Sequence, residues 1–467
     1  MKKYILFILL FLISNLSYGQ KTDDDAFFIK EIHDYTLTAG SCYSWLHHLT
    51  KNIGHRLSGS PMYDQSVGYT SSVLSDMSLD KVYTQECEVD YWTRGSNKVT
   101  INYQGVEGVP LNVVALGRSK GGNGVPITGD IIEVKSLQEV EDLGRAEIEG
   151  KIVFYNRPMD PTQVRTFNAY GGAVDQRVFG ANKASEYGGV GAIVRSMTTS
   201  IDDVPHTGSS YYEEGVTPVP GLGVSTRDAE KLSELLRTGK VEATIISDSD
   251  DAGKKPSYNV IGEIVGTDFP EEIIVVGGHL DSWDVGEGAH DDGTGCVQSM
   301  QVLKTLIALN YKPKRTIRCV LFANEENGLA GATEYARVSN EKGEFHLAAL
   351  ESDAGGFVPR GFSIDGSKDV LETYAKAVNE WMTLLEPYGL MLSTGGSGAD
   401  IGPLKSQGGL LIGLRPDSQR YFDFHHTAAD TFEAVNKREL ELGAAAMTSL
   451  IYLIDKYGLP QVNPDKK

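Results

Sequence analysis

The chain has 467 residues, more than one hydrophobic core usually organises, so we expect two domains. Its 40% hydrophobic and 23% charged residues are typical of a folded globular protein. The formal net charge of −20 argues against nucleic acid as a partner, because two polyanions repel each other.

The first nineteen residues are typical of a secretory signal peptide. Lys2 and Lys3 precede an uncharged apolar run over 4–13, and Ser17 and Gly19 are small residues suited to a cleavage site. A membrane span would need ~20 apolar residues, which this run does not reach. We therefore predict that the signal is removed, that the mature chain has no membrane anchor, and that the protein is exported, either periplasmic or secreted.

The four cysteines, at positions 42, 87, 296 and 319, do not have the spacing of a zinc site. Export would permit disulfides, but four cysteines in so long a chain do not make a disulfide scaffold. We expect Cys296 and Cys319 to be buried free thiols.

Residues 20–109 are assigned to the N-terminal part of a catalytic domain. Apolar residues recur at helical spacing between residues 24 and 80, interrupted by a glycine-rich elbow at 54–61. Strand-like stretches follow near 82–91 and 98–103.

Residues 110–250 differ in character and predict an inserted, β-rich domain. Short β-branched runs alternate there with turns and two short helices; the runs cover 129–134, 151–155, 191–194 and 241–246. The polar segment 248–256 contains Gly and Pro and is expected to return the chain to the main domain as a linker.

Residues 251–467 alternate regularly between apolar strands and helices. The predicted strands are 273–276, 316–323, 347–350 and 410–414, and the predicted helices are 294–309, 329–338, 370–385 and 435–457. Continuous apolar strands of this kind indicate an α/β fold whose sheet is covered by helices on both faces.

Imidazole and carboxylate side chains follow each of these strands. They are His279 and Asp281 after the first strand, Glu325 and Glu326 after the second, Asp353 after the third, and His425 and His426 after the fourth. Each motif alone is a weak signal that surface polar residues could equally produce. In open α/β sheets, however, ligands gather beyond the carboxyl ends of strands, so the set predicts one zinc site.

Asp291 lies in a glycine-rich loop, where its carboxylate could lend one oxygen to each of two metals ~3.5–4 Å apart. We expect one zinc ion to take His279 and Asp353, and the other to take Glu326 and His426.

Glu325 is adjacent to a ligand and remains free to act as general base on the bridging water. The two metals would lower the pKa of that water, so that hydroxide is available near neutral pH. Asp281 is expected to accept a hydrogen bond from His279 and to fix the tautomer of its ring.

Five segments carry a resemblance to a known family. They are GHLDS at 278–282, GAHDDGTG at 288–295, NEENG at 324–328, ESDAGG at 351–356 and YFDFHHTAADT at 421–431. On these residues the chain resembles the zinc-dependent exopeptidases related to aminopeptidases and glutamate carboxypeptidases, above all the carboxypeptidase Q (plasma glutamate carboxypeptidase) type.

The resemblance implies a phosphorylase/hydrolase-like α/β fold, with a mixed, mostly parallel sheet between helices and an inserted protease-associated domain. It also implies two zinc ions per chain, short peptides as substrates and a possible homodimer. The metal ligand of the histidine pair is then His426, which precedes a threonine, and the peptide between Asp291 and Asp292 is cis.

Other residues are candidates for contacting substrate or supporting the ligands: His425, Tyr421, Asp400, Asp430 and, in the elbow, Arg56. The alternative for the glycine-rich elbow and for the glycine-rich segment before Asp400 is that they only shape the backbone.

The function predicted is that of an exported dinuclear zinc exopeptidase acting on dipeptides or short peptides. One alternative is a catalytically silent, receptor-like binding protein on the same fold, and another is a single-zinc glutaminyl cyclase. The direction of attack stays open, because carboxylates could read a terminal amine, whereas Arg56, Arg415 or Arg420 could read a terminal carboxylate.

Overall fold

The computed structural model describes residues 23–460, so the predicted signal peptide lies outside the described residues. The strands are β1 (Lys81–Thr93), β2 (Asn97–Tyr103), β3 (Val106–Leu111), β4 (Val113–Ala115), β5 (Ile127–Val134), β6 (Ile152–Tyr155), β7 (Gly191–Arg195), β8 (Gly221–Val224), β9 (Val241–Ser247), β10 (Asp250–Ile264), β11 (Phe269–His279), β12 (Arg315–Phe322), β13 (Phe345–Glu351), β14 (Pro359–Asp365), β15 (Met391–Thr394) and β16 (Leu410–Pro416).

The helices are α1 (23–39), α2 (Cys42–His47), α3 (Pro61–Ser75), α4 (Leu137–Ile148), α5 (Thr166–Gly171), α6 (Asp175–Glu186), α7 (Thr226–Thr238), α8 (Thr294–Ala308), α9 (Ala330–Lys342), α10 (Lys368–Leu385), α11 (Tyr421–Phe424) and α12 (Lys437–Tyr457). Short π or 3₁₀ turns span His48–Ile53, Ala289–Gly293, Glu386–Tyr388, Gly402–Gln407 and Phe432–Ala434. Between residues 23 and 460, no helix combines the length and apolar character that a membrane crossing requires.

The strands form two eight-stranded sheets. The first has the order β1-β10-β12-β11-β13-β16-β14-β15, and its central strands β12, β11, β13 and β16 are parallel. The outer pairs β1 with β10, β10 with β12, and β14 with β16 are antiparallel. The sheet is therefore mixed, as the resemblance implied.

The central strands are buried on both faces because their side chains alternate between two cores. Ile274 and Val276 of β11 pack in a core shared with helices α8, α10 and α12, whereas Ile273 and Val275 pack with helix α9. An apolar residue at every position is what a strand covered by helices on both sides requires. The four predicted strands and four predicted helices of this region are confirmed.

The segment predicted as a polar linker, residues 248–256, is instead largely strand. β10 pairs antiparallel with β1 from its first residue onward. Nζ of Lys254 lies 2.7 Å from Oδ1 of Asp90, and the ammonium of Lys255 lies 3.6 Å from the ring centroid of Tyr91. The composition of this segment predicts a loop, but its cross-strand pairs with β1 stabilise it as a strand.

The second sheet has the order β3-β2-β9-β5-β6-β7-β8-β4. Helices α4, α5 and α6 share one core with it and α7 shares another, so four helices replace the two that were predicted. Helix α6 has a weak apolar pattern in the sequence because it buries polar side chains, among them Gln176, Arg177 and Asn182. Since β2 also belongs to this sheet, we propose that the inserted unit begins near Asn97 rather than at residue 110.

The inserted unit packs against the region of the first unit that follows β16. Tyr421 and Phe422 of α11 lie in the same core as Tyr155 of β6 and Ala181 of α6. The inserted unit therefore reaches the carboxyl-terminal edge of the first sheet. All four cysteines are buried and free, which confirms the expectation for Cys296 and Cys319.

Candidate metal centre

Four parallel strands carry the candidate ligands to one edge of the first sheet. β11 ends at His279, and Glu326 is the fourth residue after β12. Asp353 is the second residue after β13, and His426 follows β16 after helix α11. The loop after β11 brings Asp291 to the same place, so the five predicted ligands form one cluster.

The carboxylate of Asp291 lies between two groups of side chains. Its Oδ1 is 3.2 Å from Nε2 of His279, and that nitrogen is 3.4 Å from Oδ1 of Asp353. Its Oδ2 is 3.2 Å from Nε2 of His426, and that nitrogen is 3.1 Å from Oε2 of Glu326. Each oxygen of Asp291 thus faces one imidazole and one further carboxylate, as a ligand shared by two metals requires.

His426 presents a nearer nitrogen to Asp291 than its neighbour His425 does. Nε2 of His425 is 3.9 Å from Oδ2 of Asp291, against 3.2 Å for His426. Both histidines could geometrically share an ion with Asp291, but the shorter distance favours His426. The two rings stack with centroids 3.6 Å apart. Burial, followed by the charge of His426, lowers the pKa of His425 well below its usual value.

Asp281 supports the cluster differently from the sequence-based expectation. The backbone carbonyl of Asp281 lies 3.0 Å from Nδ1 of His279, whereas its carboxylate Oδ1 is 3.8 Å away. The carboxylate instead accepts the backbone N–H groups of Glu325 and Glu326, at 3.1 and 3.3 Å. In the turn after β12 these two amides have no carbonyl partners, so they donate their hydrogen bonds to the carboxylate of Asp281 instead. Asp281 therefore fixes a histidine and an adjacent loop at once.

Asp292 shapes the loop that carries Asp291. The peptide between the two residues is cis, as the resemblance implied. Oδ2 of Asp292 accepts the backbone N–H of His279 at 3.1 Å, and Oδ1 accepts that of Gly295 at 2.9 Å. A Cβ at Gly278 or Gly295 would lie 2.3 or 2.4 Å from Oδ2, so glycine is required at both positions.

Asp430 binds the same loop from the opposite side. Its carboxylate accepts the backbone N–H groups of His290 at 2.7 Å and Asp291 at 3.1 Å. Burial raises the pKa of Asp430 to about 8, although the His290 amide acts in the opposite direction. The carboxylate of Asp430 is thus engaged by backbone and positions Asp291.

Asp400 is buried beside Glu351, a residue to which the sequence analysis gave no role. In the described chain, neither carboxylate oxygen of Asp400 has a hydrogen-bond partner. Oε2 of Glu351 accepts the backbone N–H of Ile401 at 2.9 Å. Burial, and then the charge of Asp353, raise the pKa of Glu351 to about 7. Glu351 is the last residue of β13 and precedes the candidate ligand Asp353 by two positions.

The cluster holds more carboxylates than its own side chains can neutralise. Burial raises the pKa of Glu325 well above its usual value; His279 opposes this, but the charges of Asp353 and Glu326 add to it. Burial, and then the charge of Asp291, raise the pKa of Glu326 to about 7. Buried carboxylates are costly unless they are paired or bind metals. Divalent cations would supply the missing positive charge.

The donor set also fits zinc. Two imidazoles and three carboxylates converge, and zinc accepts both types of ligand. Oδ2 of Asp291 is buried and has no hydrogen-bond partner of acceptable geometry in the described chain. An orphaned carboxylate oxygen between an imidazole and a second carboxylate is the position at which a cation would be bound.

The guanidinium of Arg56 is occupied by backbone carbonyls. Its side chain is fully buried, and it donates to the backbone carbonyls of Leu280 at 2.6 Å, Glu287 at 2.8 Å and Gly288 at 2.8 Å. Burial lowers the pKa of the guanidinium. All three donor nitrogens bind the loops that carry His279 and Asp291, which favours support of the ligands over substrate contact as the role of Arg56.

We expect Arg56→Met to lower the free energy of unfolding by about 3 kcal/mol or more, because three backbone carbonyls, two of them fully buried, lose their donors at roughly 1–3 kcal/mol each. Equilibrium urea unfolding followed by tryptophan fluorescence measures the change. The exposed Arg237→Met is the matched control and should be neutral within about 0.5 kcal/mol. Equal stability of the two variants would contradict the structural role.

A cavity of about 310 Å³ opens onto the cluster. Tyr421 and Glu325 line it from the first unit, and Arg177 of helix α6 lines it from the inserted unit. Arg415 and Arg420 do not belong to its lining. Arg177 could not be identified as a site residue from the sequence, because it lies far upstream of the candidate ligands in a helix with no clear apolar stripe. It reaches the cavity only through the packing of the two units.

The chain is similar to peptidases of known family. The protein-family model described as "Peptidase family M28" matches residues 259–451, which include all five candidate ligands. Carboxypeptidase Q of Bos taurus is 31% identical over 420 residues, which are 88% of this chain and 84% of that protein. Carboxypeptidase Q of Xenopus laevis is 34% identical over 405 residues, 86% of this chain and 83% of that protein.

The fold is also that of a solved structure. The crystal structure of a peptidase M28 precursor from Shewanella amazonensis SB2B superposes with a TM-score of 0.88 at 31% identity. The match covers 95% of this chain and 100% of that chain. The likeness therefore extends over both sheets and not only over the metal centre.

Proposed function

Because this chain belongs to peptidase family M28, we propose that it is an exported exopeptidase that uses two zinc ions to hydrolyse dipeptides or short peptides. The observation that carries the proposal is the placement of the two Asp291 oxygens, each 3.2 Å from the Nε2 atom of a different histidine. His279 and Asp353 would hold one zinc ion, and His426 and Glu326 the other.

When bound, zinc would supply a Lewis acid for the scissile carbonyl and would lower the pKa of a water molecule. Asp291 would fix the spacing of the two positions. Asp281, Asp292 and Asp430 would hold the ligand loops in place through the backbone amides described above.

Glu325 is the proposed general base. It lines the cavity. Its hydrogen bond to Asp281 uses only the backbone N–H, which leaves the Glu325 side chain available to act on water. Glu325 would take a proton from water as the water oxygen bonds to the carbonyl carbon. It would then give that proton to the amine nitrogen as the C–N bond breaks, so that one water is consumed and two products leave.

Two alternative functions receive less support. A receptor-like binding protein does not need a general base, yet Glu325 faces the cavity beside a complete ligand set. A single-zinc cyclase does not need a shared carboxylate, yet Asp291 has a histidine at each of its oxygens. Both observations favour hydrolysis with two metals.

Removal of metal should abolish activity. We expect dialysis against a strong chelator to reduce dipeptide hydrolysis to background, and two equivalents of zinc per chain to restore it. A ninhydrin or coupled amino-acid assay measures turnover, and elemental analysis counts the zinc. Full hydrolysis by metal-free protein would overturn the proposal, and full recovery at one equivalent would favour the single-zinc alternative.

We also propose that the second sheet and its helices form the inserted protease-associated domain that the resemblance implies, and that the chain is processed after residue 19. The amino-terminal sequence and the mass of the protein recovered from its native compartment test the cleavage. An intact amino terminus in that compartment would contradict it.

A further inference from the structure

We propose that the inserted unit positions two of the candidate zinc ligands, Glu326 and His426, and that Trp283 is the positioning residue through which it acts. The inference rests on the proposed function. The place between Glu326 and His426 is called the His426 position below, and the place between His279 and Asp353 the His279 position. The inserted unit sets the zinc affinity of the His426 position and leaves that of the His279 position to the first unit.

Trp283 lies in the loop after β11 and contacts both ligands of the His426 position. Its backbone N–H donates to Oε1 of Glu326 at 3.2 Å, and Oε2 of the same carboxylate lies 3.1 Å from Nε2 of His426. The ring of Trp283 meets the ring of His426 edge to face, with centroids 5.9 Å apart. Because Trp283 is only 3% exposed, a displacement of its ring is passed to these packed neighbours.

The backbone of the inserted unit lies directly against the outer edge of the Trp283 ring. A Cβ at Gly117 would lie 1.8 Å from Cη2, 2.5 Å from Cζ3 and 2.8 Å from Cζ2 of that ring. These three atoms form the far side of the six-membered ring, which the shorter side chain of phenylalanine does not reach. Glycine is therefore required at position 117 for the two units to approach this closely.

The same part of the inserted unit contacts His426. The backbone N–H of Thr207 donates to the carbonyl of His426 at 3.0 Å, and a Cβ at Gly208 would lie 2.6 Å from Nδ1 of His426. His426 has a positive φ of 62°, which a residue other than glycine keeps only when its surroundings enforce it. The backbone N–H of Gly117 donates to the carbonyl of Gly208 at 2.9 Å. One hydrogen-bonded piece of backbone therefore touches both Trp283 and His426.

Arg94 ties the loop of Trp283 to this piece of backbone. Its Nε donates to Oδ1 of Asp284 at 2.9 Å. Its Nη1 donates to the backbone carbonyl of Ala115 and, at 3.2 Å, to Oγ1 of Thr207. The side chains of Arg94 and Asp284 are 11% and 22% exposed, so solvent screens this ion pair less than a surface pair. The pair holds the Trp283 loop against the inserted unit.

The His279 position has its supports within the first unit. Nδ1 of His279 lies 3.0 Å from the carbonyl of Asp281, and the backbone N–H of His279 donates to Oδ2 of Asp292 at 3.1 Å. Both supports come from the loop that follows β11. A disturbance at the boundary between the two units should therefore weaken zinc binding at the His426 position first.

The test is the Gly117→Ala variant, with zinc affinity as the readout. The added methyl group displaces the ring of Trp283, and with it Glu326 and His426. In a competition titration with a chromogenic chelator, we expect the dissociation constant of one zinc ion to rise about 100-fold, because residues that orient metal ligands contribute roughly 10–100-fold to affinity. After dialysis against zinc-free buffer, elemental analysis should find about one zinc per chain.

Rescue by a second substitution separates positioning from general damage. Trp283→Phe removes the atoms that the new methyl group meets, so Gly117→Ala/Trp283→Phe should regain about tenfold or more of the lost affinity. Gly117→Ala/Asp353→Asn should retain no zinc after dialysis, because the two substitutions weaken different positions. Gly68→Ala in helix α3, where the added Cβ meets no packing neighbour within 4 Å, is the matched control and should keep wild-type affinity.

Gly117→Ala protein that holds both zinc ions as tightly as wild type would overturn the proposal. A Gly117→Ala/Asp353→Asn variant that retains one zinc, or a Trp283→Phe background that gives no rescue, would also contradict it. If Gly117→Ala does not fold, Asp284→Asn decides, since it keeps the volume and removes the charge that pairs with Arg94: weaker binding of one zinc ion supports the proposal, and unchanged binding overturns it. A wild type that binds fewer than two zinc ions would overturn the proposed function together with this inference.

Discussion

Glu325→Gln should reduce kcat on a short peptide about 1,000-fold while leaving the zinc content at the wild-type value. The amide cannot accept the proton of the attacking water, and general base catalysis contributes roughly 10²–10⁴-fold. Glu325 is held through its backbone N–H by Asp281, a contact that the substitution leaves intact. KM should change less than threefold, because the side chain acts on the water and not on the peptide.

Steady-state kinetics and elemental analysis of the same preparation measure both quantities. Glu341→Gln, an equal change at an exposed position on the helix that follows, is the control and should keep full activity. A Glu325→Gln variant with near-wild-type turnover would contradict its role as base. A variant that also loses zinc would show that Glu325 supports the metals rather than the proton transfer.

Asp291→Asn should have the second large effect, because it removes a carboxylate from both metal positions at once. Asparagine can offer one carbonyl oxygen and turns a donor toward the other side. The oxygens of Asp291 face His279 on one side and His426 on the other, so both positions weaken. After dialysis against zinc-free buffer, we expect less than one zinc per chain and activity at background.

Asp353→Asn is the informative comparison. Of the two candidate histidine ligands, Asp353 lies near His279 and not near His426. Loss of the Asp353 carboxylate should therefore release the zinc ion on the His279 side and leave about one zinc per chain. Asp268→Asn, at an exposed position, should retain two. Equal zinc counts for Asp291→Asn and Asp353→Asn would contradict a shared role for Asp291.

The sequence could predict the cluster of candidate ligands because topology brings strand ends together, whereas the choice of His426 over His425 came from the resemblance. His279, Glu326, Asp353 and His426 each follow a parallel strand, and the apolar composition of those strands is visible without a structure. Parallel strands in one sheet have their carboxyl ends at one edge. The ligand cluster therefore required no knowledge of side-chain packing.

The supporting contacts could not be predicted in the same way. Asp281 binds two backbone amides, and Arg56 binds three backbone carbonyls. Every residue has a backbone, so partners of this kind cannot be identified from residue types. Arg177 approaches His426 only through the packing of the inserted unit on α11. The first part of β10 is a strand because β1 pairs with it, although residues 250–256 favour a loop.

Anomalous diffraction at the zinc absorption edge, on crystals grown with zinc, tests the central claim most directly. Two peaks about 3.5–4 Å apart are expected, one between Asp291 and Asp353 beside His279 and the other between Asp291 and Glu326 beside His426. A single peak, or peaks away from the Asp291 carboxylate, would contradict a shared two-zinc centre.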